Sequence, residues 1–328
     1  MLLKIFKSNH PYVIFLIPFL GIALWIPSLL SLNLNTQPAP LSDATFIYQW
    51  IYNFIAPYPK LSLVLALLFL ILQSYFLIRL NFKYIFIETK TYLPSVMFVL
   101  FGSILLPYQQ MHPIIIGNFF LLFAIDKVFV IDKEVNQIKR YFEGGFLLGI
   151  SALFYPHYYV FILLIWLSLI ILRNYTWREW IAPLIGFITP LALLFAFLFL
   201  FDHHQLLINN LKETLISTSP KQVFYFWSII PLVVIALVLL IAMLWSLLYV
   251  GVKKISTRKY FTLFFWFLAL TFTAVALHPS IGFETIYIAA IPLSILYSIF
   301  FTESHRNWML ELLFILTFLS VFAIIWLH

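Results

Sequence analysis

Between Tyr12 and Leu32 the chain runs for 21 residues without a charged side chain, and ten further apolar runs follow it. At ~1.5 Å per helical residue such a run covers the ~30 Å of hydrocarbon in a bilayer. The others are Leu61–Ile78, Leu93–Leu106, Ile114–Ile131, Gly144–Tyr155, Tyr158–Leu172, Trp180–Phe201, Val223–Val252, Tyr260–Leu277, Thr285–Thr302 and Trp308–Leu327. Lipid offers no partner to open backbone, and these runs are too apolar and too long for the alternating strands of a membrane barrel. The expected fold is therefore all-α, a polytopic transmembrane helical bundle of about 11 membrane segments. Composition agrees, because 64% hydrophobic residues, 9% charged residues and a mean hydropathy of +1.04 leave too little charge for a water-facing surface. With no cysteine, the chain has no disulfide framework and no thiol chemistry. Lys4 and Lys7 precede the first run, but Gln37-Pro38-Ala39-Pro40 is a poor cleavage site, so that run reads as a retained helix.

A net charge of +7 in a soluble protein would suggest nucleic acid, but here the cations fall in short loops between spans. That is a signal of topology, and no nucleic-acid partner is expected. With the N-terminus in the cytoplasm of a cell with an inner membrane, alternation places 16 of the 19 Lys and Arg inside and leaves Lys60, Lys212 and Lys221 outside. The C-terminus then lies outside. Gly144–Tyr155 and Tyr158–Leu172, at 12 and 15 residues, reach only roughly 18 to 23 Å as straight helices. They either cross as short helices or form a hairpin entered and left from the cytoplasm, so the count is nine to eleven and the sidedness of the rest is unchanged. Residues 1–328 form one integral-membrane domain, with a first part, 1–201, that includes the outer loop 33–60, and a second part, 202–328, of C-terminal membrane helices.

The outer loop carries Phe46, Ile47, Trp50, Ile51 and Phe54, an apolar stripe at helical spacing that should lie in the interface with Trp and Tyr at headgroup depth. Asp202–Gln222 offers a second such stripe in Leu206, Leu207, Leu211 and Leu215. Ionisable groups at membrane depth or in short outer turns are costly, which makes them the first candidates for function. Six of eight histidines fall on the outer side, and three adjoin a proline at a turn: His112-Pro113, Pro156-His157 and His278-Pro279. Together with Asp43, Asp202 and Glu284 they are candidates to line one outward-facing cavity; the plainer reading is an amphipathic residue at headgroup level. Imidazole and carboxylate on one face would admit a divalent cation, but no pair has His-x-x-x-His spacing, so no metal ligand is assigned. Asp43 stands just before the interfacial stripe, placed either to act as a general base or to cap that helix. On the inner side Asp126 and Lys127 are expected to pair with neighbouring returns. The block from Lys253 to Lys259 orients the chain and offers cations to anionic lipid headgroups. There is no GxxxxGK[ST], no strand-to-helix GxGxxG and no serine-hydrolase elbow. Prolines break several runs, but no carboxylate accompanies them at mid-depth, which disfavours ion-coupled transport.

One transmembrane helix, a long outer loop with an acid and an interfacial helix, and then short helices with tight outer turns together resemble the GT-C superfamily. These are integral-membrane glycosyltransferases that use polyprenyl-phosphate sugars. The resemblance rests on Leu93-Pro94 to Pro107 with His112-Pro113, on Gly144-Gly145 to Tyr155-Pro156, and on Arg173 to Trp180 running into Pro183, Gly186 and Pro190. The same stretches are similar to an uncharacterised family of multi-pass inner-membrane proteins of Bacteroidota, a domain of unknown function. The resemblance covers roughly the first 200 residues. It implies Asp43 as base or metal ligand, and His112, His157, His278 and Lys60 as the groups that hold a lipid-linked phosphate. The implied function is handling of a polyprenyl-phosphate sugar at the outer face, with direct displacement at the anomeric carbon. Two other readings remain: a non-catalytic scaffold packed against a membrane-protein partner in an envelope complex, and a lipid or solute transporter.

Overall fold

The computed structural model describes residues 2–8, 10–31, 45–104, 109–130, 137–172, 176–202, 205, 226–249, 254–277, 284–304 and 307–326. Among the described residues there is no strand, as the absence of water partners for backbone requires. The helices are α1 (Leu2–Lys7), α2 (Tyr12–Ser31), α3 (Phe46–Ile55), α4 (Pro59–Tyr84), α5 (Leu93–Gly102), α6 (Pro113–Val128), α7 (Gln137–Phe154), α8 (Ile162–Leu172), α9 (Trp177–Leu200), α10 (Phe226–Tyr249), α11 (Ile255–Leu277), α12 (Thr285–Glu303) and α13 (Asn307–Trp326). Seven of them, α2, α4 and α9 to α13, are long and apolar enough to cross a membrane, the architecture of a multi-pass membrane protein.

Side-chain bonds fix two ends of the bundle. At one end, α3 lies over the start of α4 and the corner after α7: Thr45 Oγ1 donates to Phe154 O at 3.1 Å, Tyr48 OH donates to Met111 O, and Met111 N–H donates to Ser62 Oγ at 2.9 Å. At the other end, Lys83 Nζ meets Asp126 Oδ1 at 2.6 Å, Lys127 Nζ meets Glu143 Oε2 at 2.5 Å, and Lys259 Nζ donates to Leu172 O at 2.6 Å. The expected pairing of Asp126 and Lys127 is thus made with Lys83 and Glu143. Of the thirteen described Lys and Arg residues, only Lys60 lies at the α3 end.

α7 begins seven residues before the apolar run, so that Lys139, Arg140 and Glu143 sit on its first turns at the lysine-rich end, and it reaches Phe154 under α3. The return opens with a 3-10 helix, Pro156–Phe161, before α8. A 3-10 turn rises ~2.0 Å per residue against ~1.5 Å in an α-helix, so the two segments together reach roughly 28 Å. This carries the chain back to Leu172 at the lysine-rich end. α7 packs on α9 through a glycine seam: a Cβ on Gly145 would lie 2.2 Å from Pro183 O, and one on Gly186 2.2 Å from Phe142 O.

α5 is only ten residues long, and each residue from Leu93 to Phe101 is buried. α5 ends at Gly102, and side chains bond the residue that follows it. Trp25 Nε1 donates to Ser103 Oγ at 2.9 Å, Gln109 Nε2 to Ser103 O at 2.9 Å, and Ser28 Oγ to Gln109 Oε1 at 2.5 Å. Non-helical backbone at membrane depth is tolerated only where it is buried and satisfied in this way. The centre of the bundle belongs to α12, buried without interruption from Tyr287 to Thr302 and packed against α5, α10 and α11. Its hydroxyls turn inward on their own helix, Ser294 to Ile291 O and Ser298 to Ser294 O, and Tyr297 OH donates to Ile235 O.

Candidate functional site

α3 is amphipathic, and the structure divides its faces. Tyr48 and Ile55 are buried against the bundle, Ile51 and Tyr52 pack partly on it, and Trp50 and Phe54 are 72% and 75% exposed. The inward face is therefore held by hydrogen bonds as well as apolar contact, and the outward face carries the aromatic pair suited to headgroup depth. Thr45 is the N-cap residue and makes no side-chain cap bond, because its hydroxyl reaches Phe154 O instead. Asp43 lies outside the described residues, two positions before this anchored threonine.

Beneath α3 two turns meet. His112 is the N-cap of α6, where its Nδ1 accepts from Ile114 N–H at 3.3 Å. Burial pushes its imidazole down to about 3. At neutral pH His112 therefore offers a dipole and a hydrogen-bonding edge, not a positive charge. Burial also raises the Tyr48 phenol, with Tyr52 beside it adding to the shift, so both groups of this corner stay neutral. In the second turn His157 is buried in the 3-10 segment, its ring 4.9 Å from that of Tyr155. Tyr155 OH donates to Glu284 Oε1 at 3.1 Å, and Glu284, just before α12, is itself buried. The structure thus brings His157 and Glu284 to one corner through Tyr155, and Thr45 ties α3 to the residue preceding that tyrosine.

The remaining sequence candidates are placed differently. Lys60 is exposed at the start of α4, two residues before Ser62, whose hydroxyl holds Met111 beside His112. Asp202 follows α9 in a left-handed conformation with φ of 58° and is exposed; among the described residues no hydrogen bond or ion pair joins its side chain to the corner. His203, His204, Lys212, Lys221, His278 and His328 lie outside the described residues. Glu179, in the stretch that carries the resemblance, accepts from Thr176 N–H at 3.1 Å and so caps α9. Among the described residues no group of three or more His, Asp or Glu is arranged to hold a metal ion.

Reasoning restricted to ionisable residues passed over a second polar cluster. Gln73 on α4, Asn118 on α6 and Tyr287 on α12 meet inside the bundle, where Tyr287 OH and Asn118 Nδ2 both donate to Gln73 Oε1, at 3.1 and 3.2 Å. Gln73 and Asn118 each stand within one of the apolar runs.

The cap predicts a pH dependence. The unfolded chain protonates a histidine near pH ~6.5, whereas folded His112 takes a proton only near 3, so stability falls as pH drops through that window. Between about pH 7.5 and 5 the detergent-solubilised chain is expected to lose thermal stability. His112→Asn, which keeps an acceptor for Ile114 N–H, should lose less. Equal slopes for the two proteins would contradict the assignment.

A family model described as a family of unknown function, DUF6427, matches residues 26–327. No curated protein and no solved structure matches the chain.

Proposed function

The chain belongs to the family of unknown function DUF6427, and we propose that within it this protein is an inner-membrane protein that handles a lipid-linked sugar at its outer face. The observation that carries the reading is the α3 corner. An interfacial helix is hydrogen-bonded over two turns that bear His112 and His157, with buried Glu284 at the same level. The lysine-rich end is assigned to the cytoplasm by the positive-inside bias, which puts the N-terminus inside, the C-terminus outside and α3 on the outer face. Eleven crossings follow in this reading: the seven long helices, the half-helical passage of α5, and α6, α7 and the 3-10 segment with α8.

A GT-C-type glycosyltransferase fits this layout. The polyprenyl-phosphate sugar would sit beneath α3, with His112, His157 and His278 bonding its phosphate and Lys60 at the rim. Asp43 would take the proton of an acceptor hydroxyl as that oxygen bonds the anomeric carbon and the bond to the phosphate breaks. A divalent cation on Asp43 or Glu284 would neutralise the leaving phosphate. Asp43→Asn is expected to abolish transfer from a polyprenyl-phosphate sugar while leaving membrane abundance unchanged, so a fully active Asp43→Asn protein would overturn the assignment.

A second reading, a non-catalytic scaffold in an envelope complex, is favoured by one specific observation. Lys60 is the single cation at this end among the described residues, and it is exposed, which is little charge for a phosphate. A stoichiometric membrane-protein partner that copurifies in mild detergent, together with wild-type phenotype for Asp43→Asn, is the outcome that selects it.

A further inference from the structure

Gln73, Asn118 and Tyr287 lie where no water-facing surface reaches: both amides are fully buried, Tyr287 is 5% exposed, and they sit on three different helices. The direction of each hydrogen bond among them is fixed by one backbone group. Ile115 O can only accept, so the Gln73 group facing it at 2.8 Å must be the amide nitrogen. Gln73 Oε1 therefore points the other way, and both Tyr287 OH and Asn118 Nδ2 donate to it. Turning the Asn118 amide over would set two acceptors face to face, so its oxygen is held away from Gln73. That oxygen is buried and accepts from no group among the described residues. An acceptor left this way inside a membrane bundle costs free energy that a donor recovers.

We propose that Asn118 Oδ1, with Gln73 and Tyr287, forms a site inside the helical bundle for a small neutral hydrogen-bond donor, a water molecule. α5 ends beside it: a Cβ on Gly102 would meet Leu70 Cδ1 at 2.6 Å and the Tyr287 ring at 3.4 Å, so the end of this helix packs closely on the cluster. One turn along α12 from Tyr287 is Glu284, which holds Tyr155 OH, and Tyr158 OH donates to Ile114 O at 3.0 Å. Polar groups thus lead from the α3 corner down to Asn118. A bound water would donate to Asn118 Oδ1, the one atom of these three side chains left without a partner among the described residues. The site does not depend on the lipid-linked sugar reading, because it needs neither Asp43 nor a substrate.

X-ray hydroxyl-radical footprinting of the full chain in lipid nanodiscs tests this, since radicals form from water where it is bound. Tyr287 is expected to oxidise several-fold faster than Tyr297, a difference larger than 5% against 0% exposure gives; Tyr297 lies on the same helix and donates to a backbone carbonyl. In Asn118→Leu the Tyr287 rate should fall to that of Tyr297. Equal rates for the two tyrosines in the unaltered protein would overturn the proposal, as would unchanged Tyr287 labelling in a folded Asn118→Leu. The first comparison needs no variant, so a misfolded Asn118→Leu does not protect the idea.

Discussion

Gly186→Ala and Gly145→Ala are each expected to lower the stability of the solubilised chain by about 1–3 kcal/mol, the usual range for overpacking, and to reduce its abundance in membranes. The obstruction is backbone, not a flexible tip. A Cβ on Gly186 would stand 2.2 Å from Phe142 O and 2.9 Å from Phe146 N; one on Gly145 would stand 2.2 Å from Pro183 O and 2.7 Å from Pro183 Cα. Neither helix can yield without opening the seam between α7 and α9. That seam positions Phe154, and through it α3, so the change should be felt at the α3 corner too. Gly21→Ala is the control: its Cβ would meet Leu67 Cδ1 at 3.5 Å, an ordinary contact with a mobile methyl, and stability should hold or rise. Thermal unfolding of the three variants in one detergent gives the ranking. A Gly186→Ala protein as stable as Gly21→Ala would mean that the two helices pack otherwise than described.

Most of the helices were legible because hydropathy alone places a span. Each of the eleven apolar runs contains a described helix, and Pro59 or Thr176, flanking the runs, marks where a helix starts. What hydropathy misses is what happens inside a run. Leu93–Leu106 reads as uniformly apolar, yet the helix stops at Gly102, because Ser103 and Gln109 find partners on α2 that a single-segment reading cannot supply. The run beginning at Gly144 looks too short to cross, but the helix extends back through Arg140 and Lys139 to Gln137. Of the site, the meeting of His157 and Glu284 was nameable only as two outer groups. Their common partner, Tyr155, is 129 residues from Glu284 in sequence, and nothing local encodes that contact. The buried amides were visible as interruptions, but a rule that weighs charge gives them no weight. Burial in lipid makes a neutral amide informative too, since its hydrogen bonds have to be found inside the protein.

Gln109→Met is the second change expected to be severe. Gln109 is 1% exposed, and its amide does the work of helical backbone bonds where α5 has ended, donating to Ser103 O at 2.9 Å and accepting from Ser28 Oγ at 2.5 Å. Methionine matches its length and fills the same space, so no cavity accompanies the change. What is lost is the donor to the Ser103 carbonyl, and a buried acceptor without its donor costs about 1–3 kcal/mol. Trp25→Phe removes a different bond at the same break, the one that Nε1 donates to Ser103 Oγ at 2.9 Å, and leaves a cavity besides, since Trp25 is 1% exposed. Gln110→Met, at the half-buried neighbour, should resemble the unaltered protein. A larger loss of thermal stability for Gln109→Met than for Gln110→Met follows only if the Ser103 carbonyl is held by the Gln109 side chain. A continuous helix through this segment would satisfy its own carbonyls, and Gln109→Met would then fall level with Gln110→Met.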